Sequence, residues 1–158
     1  MFERLSISER QTRALGRALG RRCRAGDVVA VLGPLGAGKT RFVQGLARGL
    51  GVERPRDVVS PTFTLIDEHP GRLTLWHADL YRLEREEDLE QIGLSEILRG
   101  DGVTAIEWLD RFPAWFPRDY LAVRLGIGRG TLRRVCAEAH GPRSLELLAR
   151  WLDPTPRT

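Results

Sequence analysis

The chain has 158 residues, 42% of them hydrophobic, which is one domain's length with enough apolar side chains for a sizeable core and no room for a second. No run approaches 18 apolar residues, which excludes a membrane span, and two cysteines, Cys23 and Cys136, exclude a disulfide framework or a cysteine zinc site. The 25 basic residues exceed the 21 acidic ones by four, and all of them but Lys39 are arginine; such an excess suits an RNA contact but reads first as an Arg/Glu-laced solvated surface.

Met1-Phe2-Glu3-Arg4 carries acid and opens no apolar stretch, so no signal peptide is expected and a reducing cytoplasm is the simplest compartment. Ser8 with Gln11 makes a capping-box pattern that opens a helix through about residue 22, with Leu15, Ala18 and Leu19 as its apolar stripe. Gly26-Asp27 is a turn. Residues 27–32 form a short, nearly continuous apolar run, the pattern of a strand buried on both faces. A glycine-rich loop follows, then a helix over residues 39–50 with Phe42, Val43, Leu46, Ala47 and Leu50 on one face and Gly51 as its stop.

Strands are expected near residues 63–68 and 73–80, and an acidic helical stretch over 86–98, broken near Gly93. Residues 103–108 form another apolar strand. Residues 120–127 and 131–139 alternate as two antiparallel strands around Gly128-Arg129-Gly130, and Pro142 opens a final helix through Leu152. The expected fold is a single α/β domain of the P-loop NTPase kind over residues 1–152. It has a mixed, mostly parallel central sheet flanked by helices and ends in an antiparallel hairpin and a helix. Residues 153–158 are expected to be a disordered tail.

Gly33-Pro34-Leu35-Gly36-Ala37-Gly38-Lys39-Thr40 fits G-x-x-x-x-G-K-[ST]. Glycines let such a loop curl so that its backbone N–H groups face phosphate oxygens, and the helix that follows adds its positive N-terminal end. The chain spends its one lysine here. Nucleotide-binding positions are therefore Gly33, Leu35, Gly36, Ala37, Gly38, Lys39, Thr40 and Arg41, with Lys39 on the β- and γ-phosphates and the Thr40 hydroxyl on Mg²⁺. A guanine-reading N-K-x-D motif needs another lysine, so ATP is expected over GTP. A P-loop site also needs a carboxylate at the end of a neighbouring strand. Asp79 and Glu107 both qualify, and which of them touches the metal is left open. Ser60-Pro61-Thr62-Phe63-Thr64-Leu65 lies where switch segments bring hydroxyls to the γ-phosphate. His77 and His69 read as structural. Trp108 packs in the core or covers the nucleotide pocket. Two other functions suit a small P-loop chain rich in arginine: a small-molecule or nucleoside kinase, and an RNA-binding module with a structural nucleotide.

Taken together, G-x-L-G-A-G-K-T at 33–40, S-P-T-F-T-L at 60–65, H-x-D-L-Y-R-L at 77–83 and Glu107-Trp108 resemble the TsaE family of bacterial P-loop ATPases. The opening Ser8-Glu9-x-x-Thr12-x-x-Leu15-Gly16 is also similar to the family's start, so the resemblance spans nearly the whole chain. It departs at Pro34, where the family usually has an acid, and at Leu109, where the family has proline after E-W. The resemblance implies a cytoplasmic ATPase required for the N6-threonylcarbamoyladenosine (t⁶A) modification of tRNA adenosine 37. Such a chain is an accessory subunit of the TsaB–TsaD pair, weakly active alone and in touch with tRNA only through the complex. Carried onto this chain, it implies ATP and Mg²⁺ as ligands. Lys39, Asp79, Glu107 and Thr62 are then catalytic, and Thr40, Glu107 and Asp79 surround the metal. Asp79 would position water, Thr62 or Thr64 would sense the γ-phosphate, and Ser8 and Thr12 would border the adenine. One of Arg129, Arg133 or Arg134 would approach the nucleotide.

Overall fold

A computed structural model describes residues 1–153 and Thr155; the expected tail falls partly outside the described residues. Seven strands form one sheet in the order β1-β7-β6-β2-β5-β4-β3. The strands are β1 (Phe2–Ser6), β2 (Val28–Leu32), β3 (Ile66–His69), β4 (Leu75–Asp79), β5 (Val103–Glu107), β6 (Tyr120–Ile127) and β7 (Arg133–His140). The middle four, β6-β2-β5-β4, are parallel; β7 and β1 continue the sheet antiparallel on one side and β3 does so on the other. This is the mixed, centrally parallel α/β architecture expected from the sequence.

Strand alternation splits the core between the two faces of the sheet. Val29 and Val31 of β2 point with Val103, Ala105, Leu121 and Val123 toward helices α1 (Glu9–Gly20), α2 (Lys39–Gly49) and α5 (Pro142–Leu152). Ala30 and Leu32 point with Ile106 and Ala122 to the opposite face. There Leu89 of α3 (Glu86–Gln91) and Leu94 of α4 (Leu94–Leu98) cover them together with Leu80, Leu109 and Phe112. The acidic helical stretch does break at Gly93, whose φ of 79° is the left-handed region glycine enters at no steric cost.

Helices α1 and α2 meet through backbone. A methyl group added at Gly45 would land on the Arg13 carbonyl, and one at Gly16 on the Phe42 carbonyl. Paired glycines thus let the helix that carries Ser8 and Thr12 lie directly against the one that follows the phosphate loop.

Three boundaries differ from expectation. Strand β1 is an exposed edge strand on β7 with no hydrophobic alternation to announce it. Strand β3 starts three residues late because 60–65 is a folded turn: Thr62 N–H donates to the Ser60 carbonyl and Leu65 N–H to that of Pro61. Strand β7 starts at Arg133 because Gly128 N–H donates to the Leu132 carbonyl, closing the hairpin. Cys23 is buried and burial pushes its thiol pKa up, whereas Cys136 is half-buried beside Glu3.

Candidate functional site

The loop 33–40 lies at the carboxyl ends of the parallel strands, where an open α/β sheet leaves a crevice. Gly33, Gly36 and Gly38 all have positive φ (140°, 78° and 98°), and Gly38 is the N-cap of α2, so the chain curls there as the spacing predicts. Beside it opens a cleft of about 500 Å³. Leu35, Gly36, Gly38, Lys39, Thr40 and Arg41 supply one wall. Ser60, Thr62, Asp79, Tyr81, Glu107 and Trp108 supply the other, and Glu9 closes the α1 end.

The two candidate carboxylates sit side by side, since β4 and β5 pair in parallel with Asp79 opposite Glu107. Both are buried, Asp79 at 4% exposure and Glu107 at 1%. Glu107 heads a polar chain: the Ser60 hydroxyl donates to Glu107 Oε2 (3.0 Å), and Ser60 Oγ lies 3.0 Å from Thr40 Oγ1. On the other side His77 Nε2 is 3.3 Å from Glu107 Oε1. An ionised carboxylate only accepts, so Nε2 is the donor there. His77, expected to be structural, is buried and backs Glu107. Asp79 Oδ1 accepts the Tyr81 N–H (2.9 Å). Burial nevertheless pushes the Asp79 pKa up, because desolvating the charge outweighs that hydrogen bond and the pull of Lys39.

Lys39 Nζ donates to the loop's own carbonyls, Gly33 (2.6 Å) and Pro34 (2.9 Å), and lies 4.4 Å from the centre of the Trp108 ring. Burial lowers its pKa, against the pull of Glu107 and Asp79. Trp108 adopts φ 63°, uncommon for a side chain this large, and packs against Tyr81 at 5.0 Å between ring centres. Leu65, at φ 67°, is the other non-glycine residue with positive φ among the described residues; its carbonyl accepts from Asp79 N–H. Backbone strain thus marks both segments that border the cleft.

A family model described as threonylcarbamoyl adenosine biosynthesis protein TsaE matches residues 6–141. The chain belongs to the TsaE family. It is 43% identical over 123 residues to the TsaE protein of Treponema pallidum, covering 78% of this chain and 90% of that one. To the TsaE protein of Bacillus subtilis it is 37% identical over 139 residues, covering 87% and 85%. The solved structure of Bacillus subtilis YdiB superposes with a TM-score of 0.79 at 28% identity, covering 95% of this chain and 93% of that one. TsaE proteins are P-loop, nucleotide-binding proteins of tRNA t⁶A biosynthesis.

Not every TsaE-like residue singled out from the sequence reaches the cleft. Thr62 does, with its hydroxyl toward the Ser60 carbonyl (3.4 Å), whereas Thr64 turns outward to Asp67 (2.6 Å). Ala37 is buried, its N–H donating to the Pro34 carbonyl. Ser8 caps α1, accepting the Gln11 N–H, and stands outside the lining. Thr12 is buried against Ser6 (2.8 Å) and lines a small hollow that adjoins the loop at Gly36 and Gly38. Arg41 pairs with Glu9 (3.2 Å). Of the three C-terminal arginines, Arg133 donates to the Gly36 carbonyl (3.2 Å), while Arg134 points to Glu3 on the sheet edge. Arg129 is exposed in the hairpin turn. Ser60 was within the motif but its link was hidden: it joins residues 20 and 47 positions away, which only the folded sheet brings together.

Proposed function

We propose that this chain binds ATP with Mg²⁺ in the cleft and hydrolyses it as the accessory ATPase of the cytoplasmic t⁶A37 machinery, docked on TsaB and TsaD and reaching tRNA through them. Residues 1–152 form the working domain in this reading, and 153–158 its tail. The observation that carries it is the chain Thr40–Ser60–Glu107, with links of 3.0 Å each, set at the mouth of a phosphate loop with Asp79 alongside.

The donor set fits magnesium. Among the described residues no three His, Cys, Asp or Glu side chains group as an all-protein metal site. Mg²⁺ commonly takes one or two protein ligands and fills the rest with water and substrate phosphates. Thr40 and Glu107 would hold it, with Asp79 beside them, and when bound it would offset charge on the β- and γ-phosphates. Gly33, Leu35, Gly36, Ala37 and Gly38 shape the backbone cradle, although Pro34 has no N–H to give it. Lys39 would leave its loop carbonyls for phosphate oxygens. Asp79, less readily ionised than a solvated carboxylate, would orient the attacking water, and Thr62 would meet the γ-phosphate. Arg41 and Thr12 border the nucleotide on the α1 side, and Ser8 serves them by fixing the start of that helix.

The reading is tested by ATP hydrolysis of the purified chain alone and with TsaB and TsaD. Near-silence alone, stimulation by the pair, and a loss of roughly 10²–10³-fold in Lys39→Ala are expected. ATP binding without stimulation by the pair would remove the accessory role, and phosphate acceptors would then be screened as for a kinase.

A further inference from the structure

A second cleft, about 560 Å³, is lined by α1, α2 and the turn at residues 55–56 and shares no lining residue with the first. Its lining includes Arg10, Arg13, Arg17, Arg48 and Arg56 and no carboxylate. Among the described residues, Arg13 alone of these has a side-chain partner, Gln44 Oε1 at 3.2 Å, with Glu9 at 3.8 Å. Among the described residues no carboxylate lies within ion-pair distance of Arg10, Arg17, Arg48 or Arg56. Some arginines elsewhere do pair, as Arg143 and Arg150 do with Asp27.

The glycine seam brings these charges near one another. Because α1 and α2 touch through backbone at Gly45 and Gly49, the helix positions that carry the flanking arginines lie close together. Arg17 feels Arg21 and Arg48 as like charges, which lowers its pKa. Gln44 braces the third wall, donating to the Arg56 and Val58 carbonyls. Five arginines around one cleft with no carboxylate in its lining give a surface that suits an anion.

The shape of that anion follows from the lining. Arg10, Arg13 and Arg17 share one helix face, separated along the axis by about 4.5 and 6 Å at 1.5 Å per residue. That is a row suited to successive phosphates of one strand, and guanidinium groups match phosphate oxygens two at a time. Ala14 and Pro55 are the only apolar side chains in the lining, and no aromatic ring is there. A protein partner would want an apolar anchor, and base recognition a stacking platform; neither is present.

We propose that the arginine cleft between α1, α2 and the turn at Pro55–Asp57 binds the phosphate backbone of RNA, without reading bases. This contact is direct, in addition to the one proposed through TsaB and TsaD, and independent of ATP hydrolysis; the pathway named for the family's curated members has tRNA as the polyanion at hand. The test is fluorescence anisotropy of a labelled tRNA transcript with the full chain, without nucleotide, across a salt series. The expected result is binding that weakens linearly in log–log against salt. Arg17→Glu with Arg48→Glu should lose at least tenfold in affinity and flatten the salt slope by about two. Arg99→Glu with Arg118→Glu, an equal change of charge at exposed positions elsewhere, should lose less than threefold. Thermal unfolding checks that both pairs fold, and Arg17→Gln with Arg48→Gln replaces the first pair where reversal disturbs it. Equal losses in the two pairs, no tRNA binding at low salt, or binding of poly-glutamate in place of tRNA would each overturn the proposal.

Discussion

Strand β2 has a buried aspartate just before its start and lies beside two buried carboxylates at its end, and the two ends are treated in opposite ways. At the start, Asp27 is enclosed by partners: Arg143 Nε at 2.8 Å, Arg150 Nη2 at 3.4 Å and the Arg24 N–H at 2.7 Å. Arg143 also donates to the Ala25 carbonyl, tying α5 to the turn before β2. At the far end, Asp79 has one backbone donor, and its pKa is pushed up by burial. Glu107 there shares its oxygens between Ser60 and His77. The start of the strand is a finished structural joint. At the end no guanidinium among the described residues pairs with either carboxylate, and the nearby Lys39 is bonded to the loop's own carbonyls.

The comparison is most easily broken at Asp27. Asp27→Asn keeps the shape but removes the buried charge that Arg143 and Arg150 share, leaving Arg150 with Glu146 (3.7 Å) and Arg143 half-exposed. A cost of about 3 kcal/mol is expected, the low end for removing one partner of a buried ion pair, because only Arg150 is well enclosed. In a domain of this size that lowers the thermal midpoint by roughly 6–12 °C. Nucleotide affinity of the folded fraction should be unchanged. A variant as stable as the parent would show that the joint at the start of β2 is not what the geometry says it is.

The sequence carried the nucleotide end much further than the joint. Residues 27–32 read as a buried strand, the glycine spacing of 33–40 dictated the loop, and Asp79 and Glu107 stood at strand ends, because each of these is a local pattern. Asp27 read only as a turn residue, since its arginine side-chain partners are over 100 positions away. Ser60 and His77 were hidden for the same reason: Glu107 meets them through the β4–β5 pairing, not through spacing. Strand β1 has an edge position, an exposed middle and no alternation, so nothing in its five residues distinguishes it from a loop. Arg133 was separable from Arg129 and Arg134 only once the hairpin register was known, because β7 alternates its faces and the turn takes Arg129 away from the loop.

The second way to sharpen the comparison is Glu107→Gln. Glutamine keeps the volume and can still accept from Ser60, so folding should be little affected. What it removes is the charge facing Thr40 and the loop. With TsaB and TsaD present, turnover should fall roughly 10²-fold while ATP still binds. Hydrolysis at the parent's rate would show that Glu107 is another structural carboxylate, like Asp27, and would move the metal-holding role to Asp79.

The smallest effect expected has the opposite sign to the first. Asp79→Asn removes a charge that burial disfavours, so the nucleotide-free chain should become more stable at neutral pH, unlike Asp27→Asn. A rise in thermal midpoint of about 2–4 °C is expected, the shift that ~1 kcal/mol makes in a domain this size. The sign follows from linkage. A carboxyl whose folded pKa is raised is favoured in the fold when protonated, so its stability contribution is full at low pH and is lost as pH rises through that raised value. The gap between variant and parent should therefore be widest at neutral pH and close as the solution is acidified and the parent's own Asp79 becomes neutral. Melts of Asp79→Asn and the parent from pH 7 downward measure the closing directly, and a stabilisation by Asp79→Asn that came with undiminished turnover would detach the strained carboxylate from catalysis.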